Sequence, residues 1–242
     1  MTEVLLVTGG ATGIGAAVAT LGAEKGYKVA ICDVNENIGS TLANQLGGRF
    51  IHCDVTDLSS VSAAVAQCER ELGVPKYVHL NAGIMTVPTG DAYLAIEDVS
   101  QAQYRKIVGV NLDGVYHGAK TLIPKMRARG GAITLTASTA GLSVVPVDTM
   151  YTATKYAVIG FGRAVAAANE GSNLRINVIC PGVTDTQIVP DDYKGPEFNM
   201  MPVEVMAAEI LDLLENGANG EVRAKVATDT PAFGVDMVNL NR

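Results

Sequence analysis

The sequence predicts an α/β fold built on a parallel sheet with helices on both faces. Short apolar segments rich in β-branched residues alternate with longer segments of helical periodicity, and such alternation is typical of parallel α/β proteins. The short segments are apolar almost throughout rather than at every second position, as expected of strands covered on both faces. With 242 residues, 48% of them hydrophobic, the chain is long enough for one such domain.

Seven strands and six helices are expected in alternation. The strands are predicted at 3–7, 28–32, 49–52, 76–80, 131–136, 174–180 and 221–226, and the helices at 13–26, 36–46, 57–72, 101–128, 149–170 and 202–216. Asp57 and Ser100 are of the types that cap helix N-termini, and Ser100 with Gln103 resembles a capping box. The connections 83–99 and 184–201 are long for a compact domain, which is typical of functional loops.

The charge balance argues against several kinds of partner. The net charge is −7, the sequence pI is about 5.0 and the basic residues are scattered, whereas nucleic acids and anionic membranes reward clustered Lys and Arg. The four cysteines and three histidines lack the spacing of a metal site. Because there is also no signal-peptide pattern and no apolar segment of about 18 residues, we expect a cytoplasmic protein without nucleic-acid, membrane or metal partners.

A glycine-rich segment, Thr8-Gly-Gly-Ala-Thr-Gly-Ile-Gly15, stands between the first strand and the first helix. Its glycine spacing differs from the common G-x-G-x-x-G pattern, but glycines still allow a tight turn and a close approach of backbone N–H groups to a pyrophosphate. The segment predicts a Rossmann-like dinucleotide site. Its candidate contacts are Gly9, Thr12, Gly13, Ile14 and Gly15.

Acidic and amide residues follow the next strands of the predicted sheet. Asp33 ends the second strand, where a carboxylate accepts hydrogen bonds from ribose hydroxyls and repels a 2′-phosphate, so NAD is favoured over NADP. Thr12, just before the second glycine of the motif, is also uncharged and likewise favours NAD over NADP. Further cofactor contacts are expected after the third and fourth strands, at Asp54, Val55, Asn81, Ala82 and Gly83.

Tyr151 and Lys155 are the candidate proton-transfer pair. They lie one helical turn apart on the same face of a predicted helix, and a neighbouring ammonium lowers the pKa of a tyrosine from its usual value of about 10. Alone, this spacing is weak evidence, since such pairs occur on any helix and mostly face water.

Taken together, these motifs resemble the short-chain dehydrogenase/reductase family. The resemblance extends from residue 3 to about residue 186, with the motifs in the family's order: Thr8-Gly-x-x-x-Gly-x-Gly15, Asn81-Ala-Gly83, Asn111, Ser138, Tyr151-x-x-x-Lys155 and Pro181-Gly182. Val158-Ile-Gly-Phe-Gly162 and Ile179-Cys-Pro-Gly182 are similar to the hydroxyprostaglandin dehydrogenase branch.

The resemblance implies a role for each matching residue. Tyr151 would be the general acid/base, Lys155 would lower its pKa and hold the nicotinamide ribose, and Ser138 would orient the substrate oxygen. Asn111 would carry a water link to Lys155. The segment that would close over the nicotinamide contributes Pro181, Gly182, Val183 and Thr186.

The implied activity is NAD-dependent interconversion of an apolar secondary alcohol and its ketone. The apolar candidates for the substrate wall are Val144, Val145, Met150, Ile188, Val189, Tyr193, Phe198, Met200 and Met201, while Lys194 is a basic residue nearby. Two alternatives stay open: an NADPH-linked ketoacyl-type reductase and a non-catalytic dinucleotide-binding sensor.

The family resemblance also implies a homotetramer built through helices 101–128 and 149–170. Small residues on the second of these helices, Ala157, Gly160, Ala164 and Ala168, would either line that contact or pack on the sheet.

Overall fold

The part of the chain that the structure describes is built on one sheet of eight strands, in the order β3-β2-β1-β4-β5-β6-β7-β8. The structure, a computed structural model, describes residues 2–189 and 200–236. The strands are β1 Val4–Thr8, β2 Lys28–Asp33, β3 Arg49–His52, β4 Tyr77–Leu80, β5 Gly131–Thr136, β6 Leu174–Pro181, β7 Val222–Lys225 and β8 Phe233–Gly234. All neighbouring pairs are parallel except β7 and β8. The α/β fold with a parallel sheet is therefore confirmed, with a short antiparallel eighth strand that the sequence pattern did not indicate.

Within residues 2–189 and 200–236, seven α-helices connect and cover the strands. They are α1 Gly13–Glu24, α2 Glu36–Gln45, α3 Leu58–Glu71, α4 Gln101–Val108, α5 Gly114–Met126, α6 Thr149–Ala168 and α7 Val203–Asn216. The Asp57 side chain accepts a hydrogen bond from the Ser59 backbone at the start of α3, and Ser100 and Gln103 form the capping box of α4. Both predicted caps are confirmed.

The single helix predicted over 101–128 is interrupted. A π-helical turn, Gly109–Asp113, separates α4 from α5. Such π turns occur mostly as single turns inside an otherwise continuous helix, and here the helical segments on both sides were predicted as one.

Successive residues of the strands face two separate hydrophobic cores. Leu5 and Val7 pack on the side covered by α1, α2 and α7, while Val4 and Leu6 pack on the side covered by α3, α5 and α6. This doubly wound arrangement explains why the strands are apolar throughout. Among the residues that the structure describes, no helix is long and apolar enough to cross a membrane.

The strand order reverses between β1 and β4. From β1 the chain winds outwards through β2 to β3, and then returns past β1 to continue through β4, β5 and β6. In sheets of this kind, the loops on the two sides of such a reversal separate from each other. They leave a crevice at the carboxyl ends of the strands, where ligands bind.

Candidate active site

A cavity of about 840 Å³ occupies that crevice. Its walls come from segments that are far apart in sequence but end at the same edge of the sheet, including Gly9 after β1, Asp33 at the end of β2, Asn81 after β4, Ser138 after β5 and Pro181 at the end of β6. The volume lies within the usual range for ligand sites.

The glycine-rich turn between β1 and α1 can exist only with glycine at key positions. Gly9 has a φ of 60°, and a Cβ on Gly15 would lie 2.1 Å from the Gly9 carbonyl oxygen. No side chain caps the N-terminus of α1, although Thr12 is the residue at the cap position. Gly13 and Ile14, the first residues of α1, line the cavity, and this helix N-terminus has no side-chain cap, as a phosphate site requires.

The Asp33 carboxylate is held rigidly at the far end of the cavity. Its Oδ2 accepts a hydrogen bond from the Ala11 backbone N–H (3.0 Å), and its Oδ1 accepts one from the Asn35 backbone N–H (2.9 Å). Each oxygen keeps a lone pair for a ligand hydroxyl. Val34, beside it, is 60% exposed and lines the same cavity.

Asn81 joins three strands at the centre of the site. Its backbone N–H donates to the Thr8 hydroxyl (3.0 Å), its Nδ2 donates to the Gly9 carbonyl (3.2 Å), and its Oδ1 accepts from the Thr136 hydroxyl (3.3 Å). The side chain therefore fixes the glycine-rich turn relative to β4 and β5.

Tyr151 and Lys155 face the cavity from the first turns of α6. The Lys155 side chain is only 2% exposed; its Nζ donates a hydrogen bond to the Thr136 carbonyl (3.0 Å) and lies 5.3 Å from the centre of the Tyr151 ring. Burial lowers the pKa of Lys155 to about 8. The two groups therefore lie side by side in the structure.

The pKa of Tyr151 differs from the expectation that Lys155 lowers it. Burial raises the pKa of the phenol to about 12, a hydrogen bond with Ser138 partly offsets the rise, and the charges of Asp148 and Tyr93 add to it. Loss of water around the phenolate is the largest effect on this pKa, and Lys155, which is itself desolvated and lies over the ring, does not offset it.

Ser138 is preorganised next to the phenol. Its Oγ accepts a hydrogen bond from the Ala140 backbone N–H (3.1 Å) at the start of a short 3₁₀ turn, Thr139–Gly141. Its hydroxyl also forms the hydrogen bond with the Tyr151 phenol.

Asn111 lies in the π turn and is completely buried. Its Oδ1 accepts from the Ile84 backbone N–H (2.8 Å), and its Nδ2 donates to the Ile84 carbonyl (3.0 Å) and to the Thr154 hydroxyl (3.1 Å). Its direct contacts are thus with Ile84 and Thr154. The implied water link from Asn111 to Lys155 stays a prediction.

Residues 3–196 match the family model described as "short chain dehydrogenase". The chain belongs to this family. Family members use nicotinamide dinucleotides as cofactors, and the glycine-rich turn, the open N-terminus of α1 and the fixed Asp33 carboxylate fit such a cofactor.

Individual members of the short-chain dehydrogenase family are similar over most of the chain. The (+)-borneol dehydrogenase 1 of Salvia officinalis is 35% identical over 202 residues, covering 79% of this chain and 74% of that protein. The D-threitol dehydrogenase of Mycolicibacterium smegmatis is 35% identical over 201 residues, covering 80% and 75%. These relatives support an oxidoreductase of the alcohol/ketone class.

A solved structure described as the ribose-5-phosphate isomerase from Brucella melitensis 16M has the same fold. It superposes with a TM-score of 0.83 and covers 93% of this chain and 92% of its own, at 23% sequence identity.

Nearly all the predicted site residues line the cavity. The two exceptions are Asn111 and Gly15, which both lie behind the cavity wall. The predicted residues that line the cavity are Gly9, Thr12, Gly13, Ile14, Asp33, Asp54, Val55, Asn81, Ala82, Gly83, Ser138, Tyr151, Lys155, Pro181, Gly182, Val183 and Thr186.

The predicted substrate wall is only partly correct. Val145, Ile188 and Val189 line the cavity, whereas Val144 is 77% exposed and Met201 is buried in the core beneath α7. Met150 and Met200 are also absent from the described lining, and Tyr193, Lys194 and Phe198 lie outside the described residues. The wall additionally contains Ile84, Met85, Tyr93 and Val147, which the sequence did not single out.

Proposed function

We propose that the protein is an NAD-dependent dehydrogenase that interconverts an apolar secondary alcohol and its ketone. The observation that carries the proposal is the convergence of the Ser138 hydroxyl, the Tyr151 phenol and the Lys155 amine in one cavity whose other end presents the Asp33 carboxylate. The hydroxyl, the phenol and the amine suit proton transfer at a carbonyl or carbinol oxygen. The carboxylate suits hydrogen bonding to the hydroxyls of a ribose.

When bound, the nicotinamide supplies the hydride acceptor or donor. Ser138 donates a hydrogen bond to the substrate oxygen and so orients it towards Tyr151. Tyr151 gives its phenolic proton to that oxygen during ketone reduction and takes it back during alcohol oxidation. Lys155 stabilises the phenolate by its charge when protonated, and in this proposal it also binds the nicotinamide ribose hydroxyls.

The environment of Asp33 supports NAD as the cofactor. A 2′-phosphate on the adenosine ribose would face a fixed carboxylate, and the cations among the described lining residues are Lys106 and Lys155, neither of which neighbours Asp33 in the sequence. The alternative of an NADPH-linked ketoacyl-type reductase is disfavoured for the same reason.

The wall around the catalytic residues supports an apolar substrate. Ile84, Met85, Val145, Val147 and Ile188 contribute aliphatic surface, which favours a hydrophobic alcohol over an acid or a sugar phosphate. The relatives' names include both a terpenoid alcohol and a polyol, so the proposal for this chain is based on its own wall.

The test is NADH formation with a panel of apolar and polar secondary alcohols, with NAD and NADP run in parallel. We expect turnover with NAD and with the apolar alcohols. Turnover restricted to NADP would contradict the cofactor assignment, and turnover restricted to polyols would contradict the substrate class. Tight NAD binding without turnover on any alcohol or ketone would instead favour the sensor alternative.

A further inference from the structure

Asp148 is a buried carboxylate that the reaction described above does not use. Its side chain is 2% exposed, and no Lys, Arg or His within the described ranges forms an ion pair with it. Burying an ionised carboxylate without a cation is costly unless hydrogen bonds replace its water. The residues that supply these bonds indicate what the carboxylate does.

Within the part of the chain that the structure describes, three hydrogen bonds reach the carboxylate, and they come from two segments that border the cavity. Oδ1 accepts from the Tyr151 backbone N–H (2.8 Å) and from the Thr86 hydroxyl (2.6 Å), and Oδ2 accepts from the Thr86 backbone N–H (2.9 Å). Asp148 is thus the N-cap of α6, the helix that carries Tyr151, and it also holds the segment after β4, although Thr86 is 62 residues away in the sequence.

The segment held by Asp148 forms one wall of the substrate cavity. Ile84 and Met85, directly before Thr86, line the cavity. On the other side, Asn111 binds both backbone groups of Ile84. The same segment is tied to the 184–201 loop where the Thr89 hydroxyl donates to the Gln187 carbonyl (2.6 Å).

We propose that Asp148 is a positioning residue, which clamps the substrate wall to the tyrosine helix through Thr86 and holds a carboxylate at the N-terminus of that helix. This proposal rests on the proposed dehydrogenase function. The clamp, defined as Asp148 with Thr86, sets the distance between the reacting phenol and the wall against which the substrate packs.

The charge of Asp148 acts on the phenol together with four other groups. Ser138, from the end of β5, lowers the pKa of Tyr151, whereas Asp148 and Tyr93 raise it; Lys155 lies over the ring, and Cys180, at the end of β6, interacts with Lys155. Removing the charge of Asp148 therefore lowers the pKa of Tyr151, so that alcohol oxidation reaches its maximum at a lower pH.

Two substitutions separate the mechanical role from the electrostatic one. Thr86→Val keeps the shape of the side chain and the Asp148 charge but removes the hydroxyl, so we expect KM for the alcohol to rise about tenfold, as for loss of a hydrogen bond to a charged group, with an unchanged pH profile. Thr86→Ser should restore KM. Asp148→Asn should raise KM and also move the pH profile of oxidation down by roughly one pH unit.

Hydrogen exchange supplies a readout that does not depend on activity. Thr86→Val should accelerate amide exchange in the segment 84–93 and leave the core strands unchanged. Asp57→Asn, which alters the carboxylate cap of α3 outside the cavity lining, is the matched control and should change neither KM nor the pH profile.

Specific results would overturn the clamp. Unchanged exchange and unchanged KM in Thr86→Val would show that Thr86 does not hold the wall, and an unchanged pH profile in active Asp148→Asn would remove the electrostatic role. If the wild-type protein showed no dehydrogenase activity, the proposed function would fail, while the exchange experiment would still decide whether the clamp exists.

Discussion

At the scale of single residues, the site combines a tyrosine and a lysine that are both buried and both shifted towards their neutral forms. Burial raises the pKa of Tyr151 to about 12 and lowers that of Lys155 to about 8. In this state the phenol is a proton donor near neutral pH, which suits ketone reduction. Alcohol oxidation needs the phenolate, so its rate should increase as the pH rises, whereas reduction should not.

The role of Tyr151 is tested by Tyr151→Phe. The variant keeps the ring that packs beside Lys155 and loses only the acidic proton, so we expect NAD binding to persist while kcat falls by about 10²–10⁴-fold, the usual contribution of a general acid/base. Calorimetric titration with NAD and single-turnover kinetics measure the two effects. Wild-type turnover in this variant would show that another group transfers the proton.

The role of Asp33 is tested by Asp33→Ala. This substitution removes both the acceptor for the ribose hydroxyls and the charge that opposes a 2′-phosphate, so the preference for NAD over NADP should fall by at least about tenfold, mainly through weaker NAD binding. The ratio of kcat/KM for the two cofactors is the measurement. Thr41→Ala, on the exposed side of α2, serves as a control, and a ratio equal to the wild type in Asp33→Ala would contradict the assignment.

At the scale of elements, the strands beneath α7 carry buried polar side chains. His79, Thr134 and Asn177 are aligned in register on β4, β5 and β6, and within the described chain His79 Nδ1, Thr134 Oγ1 and Asn177 Nδ2 have no hydrogen-bond partner. Burial lowers the pKa of His79 to about 3. This central part of the sheet should therefore be sensitive to acid.

The direction of that sensitivity follows from proton linkage. The unfolded chain binds a proton at His79 near its ordinary pKa of 6.5, but the folded chain does so only near pH 3, so the free energy of unfolding decreases as the pH falls from 6.5 towards 3. The loss at pH 4 is on the order of 3 kcal/mol. His79→Val should remove this component, and His52→Val, at an exposed position of β3, should retain it. Urea unfolding at several pH values measures both, and equal pH dependence in His79→Val and the wild type would contradict the prediction.

The elements that the sequence predicted well are those with a local signal. The parallel strands are apolar throughout, and the caps Asp57 and Ser100 precede their helices directly. The features that were not predicted have no such signal. β8 has only two residues, too few for any periodicity, and the π turn is a five-residue segment inside a continuous helical run.

The candidate site divides in the same way. The glycine-rich turn, Asp33, Ser138, Tyr151 and Lys155 belong to short motifs, and the parallel sheet brings their strand ends together. Asp148 has a local signal as a cap directly before α6, but its second partner, Thr86, lies in another loop and is visible only in three dimensions. The pKa of Tyr151 could not be predicted from the spacing of the pair, since it depends on burial by the whole site.

At the scale of the whole molecule, the outer surfaces of α4, α5 and α6 have the features of an interface. Tyr104, Tyr116 and Tyr156 are each more than 40% exposed. The small residues Gly160, Ala164 and Ala168 are also exposed, so they do not pack against the sheet, and a Cβ on Gly160 would meet nothing within 4 Å. Small residues on a helix surface allow two helices to approach closely, and aromatic residues are enriched at protein interfaces.

We therefore propose a homotetramer assembled through these helices, and Ala164→Arg tests it. A long charged side chain on the small-residue face of α6 should prevent helix pairing, so analytical ultracentrifugation should show a smaller species than the wild type, whose mass we expect to be four times the 25.2 kDa of one chain. Ala63→Arg, an equivalent change at an exposed position of α3, should leave the assembly intact. A wild-type protein that sediments as a monomer, or Ala164→Arg with unchanged mass, would show that this face is not the interface, because an arginine buried without a partner in a close helix contact is too costly to be accommodated.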